Sequence, residues 1–112
     1  MLNVTFVRIE QDDIKRLQRW LAELPERKSE LEKSYLEQGT RQELFYVLQG
    51  KRGPILAMIT ELKDVESGIV SFLKSQHPLD IEFKELIQEI SQGPATFKTL
   101  YDSVDCIEPL FP

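Results

Sequence analysis

Four side chains combine useful chemistry with a position that predicts an ordered environment: Arg8, Tyr46, His77 and Tyr101. His77 is the one histidine of the chain. Histidine is the residue type that changes charge near neutral pH, so His77 is the natural candidate for a base or a ligand. The arginine and the two tyrosines lie in stretches with strand character. There, a guanidinium can receive an anionic ligand and a phenol can reach into a pocket.

Each of these residues also has a simpler structural interpretation, which we favour. His77 can close the preceding helix by donating to its last carbonyls, and Asp80, three residues on, can cap the next one. Arg8 can form an ion pair with Glu61 or Glu43 on a neighbouring strand. A tyrosine in a strand ordinarily packs its ring and leaves its hydroxyl in water.

The sequence lacks the motifs of several large enzyme classes. It contains no GxGxxG, Walker loop, HExxH, GxSxG or metal-spaced His/Cys cluster, so we expect no metal and no cofactor. The single Cys106 cannot form an internal disulfide and fits a reducing compartment. A net charge of −5 disfavours nucleic acid, and no stretch approaches the ~20 apolar residues of a membrane helix. We expect a cytoplasmic protein with neither partner.

The elements that must position these side chains alternate between strand and helix patterns. Strands are predicted at 2–9, 43–48, 55–60 and 96–104, and helices from Asp12 or Asp13 to a break at Pro25, over 26–38, from Asp64 to Ser75, and from Asp80 to Gly93. The order is that of the split βαβ, ferredoxin-like α+β fold, with a four-stranded antiparallel sheet. Its first and third strands are expected to be central neighbours, with the helices on one face. One domain is predicted over 1–104, followed by a short tail at 105–112.

Two of the predicted strands are apolar on both faces. Val4 and Phe6 alternate with apolar neighbours in the first strand, and the run at 55–59 is apolar throughout. A strand that is apolar on both faces is normally covered on both. We therefore expect a second copy of the chain to cover the face that the helices leave open. The pattern leaves open which face Met58 joins.

The order of elements, the two-sided strands and the segment LKSQHPLDIEFKELIQEI together resemble the dimeric α+β barrel superfamily. In that superfamily, two ferredoxin-like subunits place their sheets face to face. The chain is most similar to a bacterial family within it, whose members are small proteins of unknown function. The resemblance covers most of residues 3–104, and its most recognisable part is the turn SQHPLD at 75–80.

The resemblance implies a fold more than a function. The superfamily includes cofactor-free monooxygenases, haem-degrading enzymes, sugar mutarotases and muconolactone isomerases, besides many members without known activity. Haem-degrading members use a helix histidine with an asparagine and a tryptophan, whereas here His77 lies in a turn before proline and Trp20 lies on the first helix. The histidine and tyrosines of the mutarotases have no residue-by-residue match.

Two functions of different classes remain open. We favour a non-enzymatic homodimer that binds a small molecule or a partner, because the sequence offers no convergent set of titratable groups. The alternative is a cofactor-independent enzyme of the monooxygenase, isomerase or mutarotase kind, acting on a small organic substrate in the barrel. Convergence of the four candidate residues in one pocket would favour the enzyme. A barrel filled by leucine and phenylalanine would favour the structural role.

Overall fold

The computed structural model describes residues 1–95 and 98–105, and these form three strands, four α-helices and two 3-10 turns. The strands are β1 (Leu2–Arg8), β2 (Thr40–Gly50) and β3 (Gly53–Leu62). The helices are α1 (Gln11–Ala22), α2 (Lys28–Gln38), α3 (Val65–Lys74) and α4 (Pro78–Ile90). The 3-10 turns cover Leu24–Arg27 and Ser103–Asp105. The chain is α+β, as predicted, and none of these helices is long and apolar enough to cross a membrane.

The three strands form one antiparallel sheet with β3 at its centre, in the order β1-β3-β2. The first and third strands are neighbours, as predicted. A tight hairpin joins β2 to β3. Gly53, the first residue of β3, has a φ of +108°, which favours glycine. Because successive side chains of a strand point to opposite sides, the register divides the sheet into two faces.

The helices cover one face of the sheet, here called the helix face. The side chain of Leu56, at the centre of β3, lies on the helix face and is almost fully buried. The core beneath the helices consists of Val7, Ile9, Leu17, Leu56, Leu86 and Ile90. Met58, whose side the sequence left open, packs against this core. The opposite face, here called the outer face, carries the alternate residues of the strands.

The predicted fourth strand over 96–104 is not confirmed. Residues 96 and 97 lie outside the described residues, 98–102 have no regular secondary structure, and 103–105 form a 3-10 turn. The sheet of the described residues is therefore three-stranded, and the ferredoxin-like arrangement is supported only as far as the α+β class and the pairing of the first three strands.

The chain after α4 nevertheless runs along the outer edge of β1, where a fourth strand was expected. The backbone N–H of Arg8 donates to the carbonyl of Gly93 at 2.9 Å, and the N–H of Gln92 donates to the carbonyl of Arg8 at 2.7 Å. Pro94 forms an isolated bridge with Val7. A proline has no N–H to give to a ladder, which accounts physically for a bridge here instead of an extended strand.

A 3-10 turn containing Pro25 separates α1 from α2, so the predicted break is confirmed. Arg27 fixes this corner, because its guanidinium binds the carboxylates of Glu30 and of Glu82 on α4, each at 2.6 Å. Gly39 ends α2 with a φ of +71°, as the sequence predicted.

The start of α3 is also as predicted. Asp64 is its N-cap and accepts a hydrogen bond from the backbone N–H of Ser67 at 2.8 Å. One residue later, Gly68 brings α3 close to its neighbours. A Cβ there would lie 2.9 Å from the backbone oxygen of Gln38 and 2.9 Å from a methyl group of Leu62. The absence of a side chain therefore sets the spacing between α3, α2 and β3.

Lys84 closes the C-terminal end of α3. Its ammonium, on α4, donates to the carbonyls of Phe72, Leu73 and Ser75 at 3.1, 3.2 and 3.0 Å. A positive charge at this end of a helix is favourable. The prediction that His77 closes this helix is wrong, because a lysine from the next helix already satisfies the free carbonyls.

His77 instead occupies the N-cap position of α4. Its ring Nε2 contacts the carboxylate of Glu37 on α2, and its backbone N–H donates to the Ser75 hydroxyl at 3.2 Å. The prediction that Asp80 is the N-cap is therefore also wrong: the helix begins at Pro78, a residue suited to the first helical position, and Asp80 lies within the first turn.

We expect Lys84→Met to lower the free energy of unfolding by about 1–2 kcal/mol, because it leaves three carbonyls without their charged donor. His77→Gln is the matched control. It removes only a solvent-exposed pair and should change stability by less than about 0.5 kcal/mol. Urea denaturation of both variants measures the difference. A larger loss for His77→Gln than for Lys84→Met would contradict this assignment.

Candidate ligand-binding cavity

The four candidate residues of the sequence do not converge. Arg8 and Tyr46 lie on the outer face, with the tyrosine 52% exposed. His77 lies on the other side of the sheet, in the turn between α3 and α4. Tyr101 follows α4 and is 71% exposed. Arg8 and Tyr46 therefore share a surface with each other but not with His77, and the four form no common pocket.

Neither expected partner pairs with Arg8. Glu61 shares the outer face but lies at the opposite end of β3, and Glu43 of β2 points to the helix face. Among the described residues, no carboxylate lies within ion-pair distance of the Arg8 guanidinium. The interstrand ion pair predicted for Arg8 is therefore absent from this part of the chain.

A cavity of about 640 Å³ lies between the helix face and the helices. Phe83 of α4 is at the centre of its aromatic wall. The ring of Phe83 stacks on that of Phe45 from β2, with centroids 5.6 Å apart, and is tilted against Trp20 of α1 at 5.3 Å. Phe72 of α3 meets it edge-on at 6.1 Å. Four elements thus contribute to a single apolar wall.

Another part of the cavity lining is polar and belongs to the sheet. Asn3 of β1 and Glu43 of β2 both pair with Thr60 of β3, so the three side chains form one row across the helix face. Thr5 follows in the next row, and all four line the cavity. A sheet face that helices cover is ordinarily apolar. This polar row is where the cavity departs most clearly from ordinary core packing.

Glu43 is the ionisable member of the polar row. The hydroxyl of Tyr35 on α2 donates a hydrogen bond to its carboxyl group. Burial raises the pKa of Glu43, the bond from Tyr35 opposes this, and the nearby charge of Asp80 raises the pKa further. Burial and then the charge of Glu43 also raise the pKa of Tyr35. The cavity therefore holds a carboxyl group whose protonated form is favoured by its surroundings.

A second carboxylate, Asp80, lies beside this pair and is only 4% exposed. Its oxygens accept hydrogen bonds from the hydroxyls of Ser34 and Ser75 at 2.7 and 2.5 Å and from the amide of Gln38 at 3.0 Å. We call these four residues the Asp80 cluster. It satisfies a buried charge with donors from α2 and from the end of α3.

Sequence reasoning missed the cavity residues as a group. It considered Glu43 as a partner of Arg8, and it favoured Asp80 as a helix cap. A usable signal was present: in β1 and β3, Asn3, Thr5 and Thr60 share an alternation class with buried apolar residues. Polar side chains on a strand face predicted to carry helices indicate a lined space in place of solid packing.

Comparisons with protein-family models, with curated proteins and with solved structures find no match for this chain. Within residues 1–95 and 98–105, no group of three or more His, Cys, Asp or Glu side chains is arranged to hold a metal ion. The proposed function therefore rests on the cavity and its polar row.

We expect Glu43→Gln to stabilise the protein at neutral pH. The folded pKa of Glu43 lies above its unfolded value, so the wild type loses stability as the pH rises from the unfolded value through the folded one. Glutamine keeps the shape of the protonated carboxyl and does not titrate. The variant should match the wild type in acid and exceed it above this window.

Denaturation across a pH series, with the exposed Glu66→Gln as control, measures the effect of Glu43→Gln. The control should stay within about 0.5 kcal/mol of the wild type at every pH, because its carboxylate is exposed in the first turn of α3, where its charge adds little to stability. A Glu43→Gln variant that is less stable than the wild type by the same amount at every pH would contradict the expectation.

Proposed function

We propose that this chain binds a small, largely apolar molecule and that the cavity is its binding site. The observation that carries this proposal is a partly open space between sheet and helices that is lined both by the polar row of Asn3, Thr60 and Glu43 and by an aromatic wall. Ligand sites are typically apolar clefts of ~300–1,000 Å³ with a few convergent polar groups. The volume of about 640 Å³ and the composition both agree with that description.

The cavity lining has two parts of different chemistry, and these suggest how a ligand would lie. An apolar, flat body fits against Phe83 and its aromatic neighbours. A polar group of the same molecule would reach Glu43. As in the sequence analysis, we propose a cytoplasmic protein that uses no cofactor and has no nucleic-acid or membrane partner.

Catalysis without a cofactor is a second candidate function, and Glu43 is the observation that favours it. A carboxyl group with a raised pKa beside a tyrosine hydroxyl can accept a proton from a substrate and return it elsewhere on the same molecule. This is the chemistry of an isomerase. Turnover of a bound molecule, followed by proton exchange with deuterated water, would separate this candidate from simple binding.

A thermal-shift screen of metabolites against the wild type and the Thr5→Trp variant tests the binding proposal. Thr5 is an exposed residue of the edge strand β1 that lines the cavity, so an indole there should occupy part of the space and obstruct a ligand without disturbing the buried core. A ligand at about 100 times its Kd stabilises the wild type by ~2.7 kcal/mol, and Thr5→Trp should lose this gain. Leu36→Trp, on the exposed side of α2, should keep it. Hits that stabilise all three proteins equally would sink the cavity as the site.

We also propose a homodimer formed through the outer face. That face is apolar over most of three strands: Leu2, Val4, Phe6, Leu44, Tyr46, Leu48, Ile55, Ala57 and Ile59. Arg8 lies at one end of this face, and Glu61 lies at the other, where it pairs with the N-terminal ammonium of Met1 at 3.4 Å. A twofold-related copy with reversed ends would lay one apolar surface against another and bring each arginine towards the partner's Glu61 end. The apolar area is what favours a second copy as the occupant.

Leu44→Lys should shift the protein towards the monomer, since it puts a charge within the proposed interface. Leu44 is 38% exposed, so the folded subunit tolerates a long polar side chain there. The matched control, Leu36→Lys, changes a leucine that is 85% exposed on α2 and should leave the dimer intact. Light scattering after size-exclusion chromatography measures both. A wild-type monomer at micromolar concentration would end the proposal.

A further inference from the structure

We infer that the cavity selects organic cations: molecules with an apolar body and a protonated amine, whose ammonium group binds the carboxylate of Glu43. The inference rests on the proposed function, since it names the ligand class of the same cavity. Three separate features of the lining lead to it: the unused acceptor capacity of Glu43, the sign of the charge around Glu43, and the aromatic rings of the same cavity.

The first feature is the difference between the two carboxylates. Asp80 receives three hydrogen bonds, from Ser34, Gln38 and Ser75, and is 4% exposed, so the protein uses most of its acceptor capacity. Glu43 receives one, from Tyr35, among the described residues. A carboxylate offers about four acceptor positions, so Glu43 retains room for a donor from a ligand. Glu43 lines the cavity together with its row neighbours Asn3 and Thr60, so a ligand in the cavity can reach its carboxylate.

The second feature is the sign of the charge. The charged residues that line the cavity are Glu43, Asp80 and Lys84. The ammonium of Lys84 is engaged with three carbonyls at the end of α3, where it balances the helix terminus. With Glu43 ionised, the lining holds two carboxylates and one ammonium, so its net charge is negative; a carboxylate or phosphate would be repelled and an ammonium attracted.

The third feature is the aromatic wall. The face of a tryptophan or phenylalanine ring attracts a cation, and it also packs against apolar groups. The protein already makes such a contact: the Lys84 ammonium lies 5.5 Å from the centroid of the Phe72 ring. A ligand with an aromatic or alkyl body can pack against Phe83 while its ammonium lies between the rings and Glu43.

Cation binding at Glu43 must be linked to pH. Burial disfavours the charged form of this carboxyl, and an ammonium at hydrogen-bonding distance would restore it, so binding below the raised pKa releases a proton. The ionisable groups facing Glu43 are Tyr35 from α2 and Asp80 and Lys84 from α4. The cavity-lining residues of β1, β3 and α3 carry none. Affinity should therefore rise with pH through the free protein's Glu43 pKa and then level off.

The test uses three probes with one aromatic body: phenethylamine, phenethyl alcohol and phenylacetate. Two-dimensional amide NMR titrations from about pH 5 to about pH 8 measure weak affinities and report where each probe binds. The proteins are the wild type, Glu43→Gln, which is isosteric and uncharged, and Glu66→Gln, which makes the same change on the exposed surface of α3. Circular dichroism verifies that all three are folded.

We expect the amine to bind the wild type and Glu66→Gln about tenfold or more tightly than the alcohol, with the carboxylate weakest. Glu43→Gln should lose this preference and its pH dependence. Equal binding of amine and alcohol, or an amine affinity unchanged in Glu43→Gln, would overturn the cation assignment and leave the binding site itself intact. Absence of shifts at the cavity residues for every probe, and for every hit of the metabolite screen, would overturn both proposals.

Discussion

Burial of the Asp80 carboxylate is the constraint on which the helical layer depends. An ion removed from water costs several kcal/mol unless donors replace the lost hydration. Ser34 and Gln38 bring α2 to this charge, and Ser75 brings the end of α3. Three helical segments must therefore meet at one point of the structure. Because they converge on a charge and its donors instead of on interlocking apolar side chains, the space between them and the sheet stays open.

Both faces of the sheet depart from the usual distribution of polarity. The face beneath the helices, otherwise apolar, carries Asn3, Thr60 and Glu43 in one row, and the outer face, on which none of the described helices packs, is apolar around Ala57. A helix-covered sheet with a solvated back would be apolar on the inner face and polar on the outer one. The proposals account for each departure separately: the inner polar groups bind a ligand, and the outer apolar groups bind a second copy of the chain. Each proposal can fail without the other.

Local sequence signals predicted much of the fold. The caps at Asp64 and Gly39 and the break at Pro25 depend on neighbours within a few residues, and all three were correct. The errors involve partners that are distant in the chain. Lys84 reaches back to close α3, and Asp80 bonds to α2, more than forty residues away. No local pattern contains those contacts. The cavity was missed for the same reason, since it needs the register that aligns three strands and the helices that face them.

Gly68 has a consequence for how this protein can change during evolution. Its missing side chain lets α3 approach the backbone of Gln38, and Gln38 in turn donates to Asp80. Because Gly68 also lines the cavity, the width of the cavity and the donors of the buried charge are set by the same contact. A lineage cannot admit a bulkier molecule by separating these helices without weakening the Asp80 cluster. Divergence in specificity is therefore expected at the sheet and the aromatic wall, where side chains can be exchanged singly.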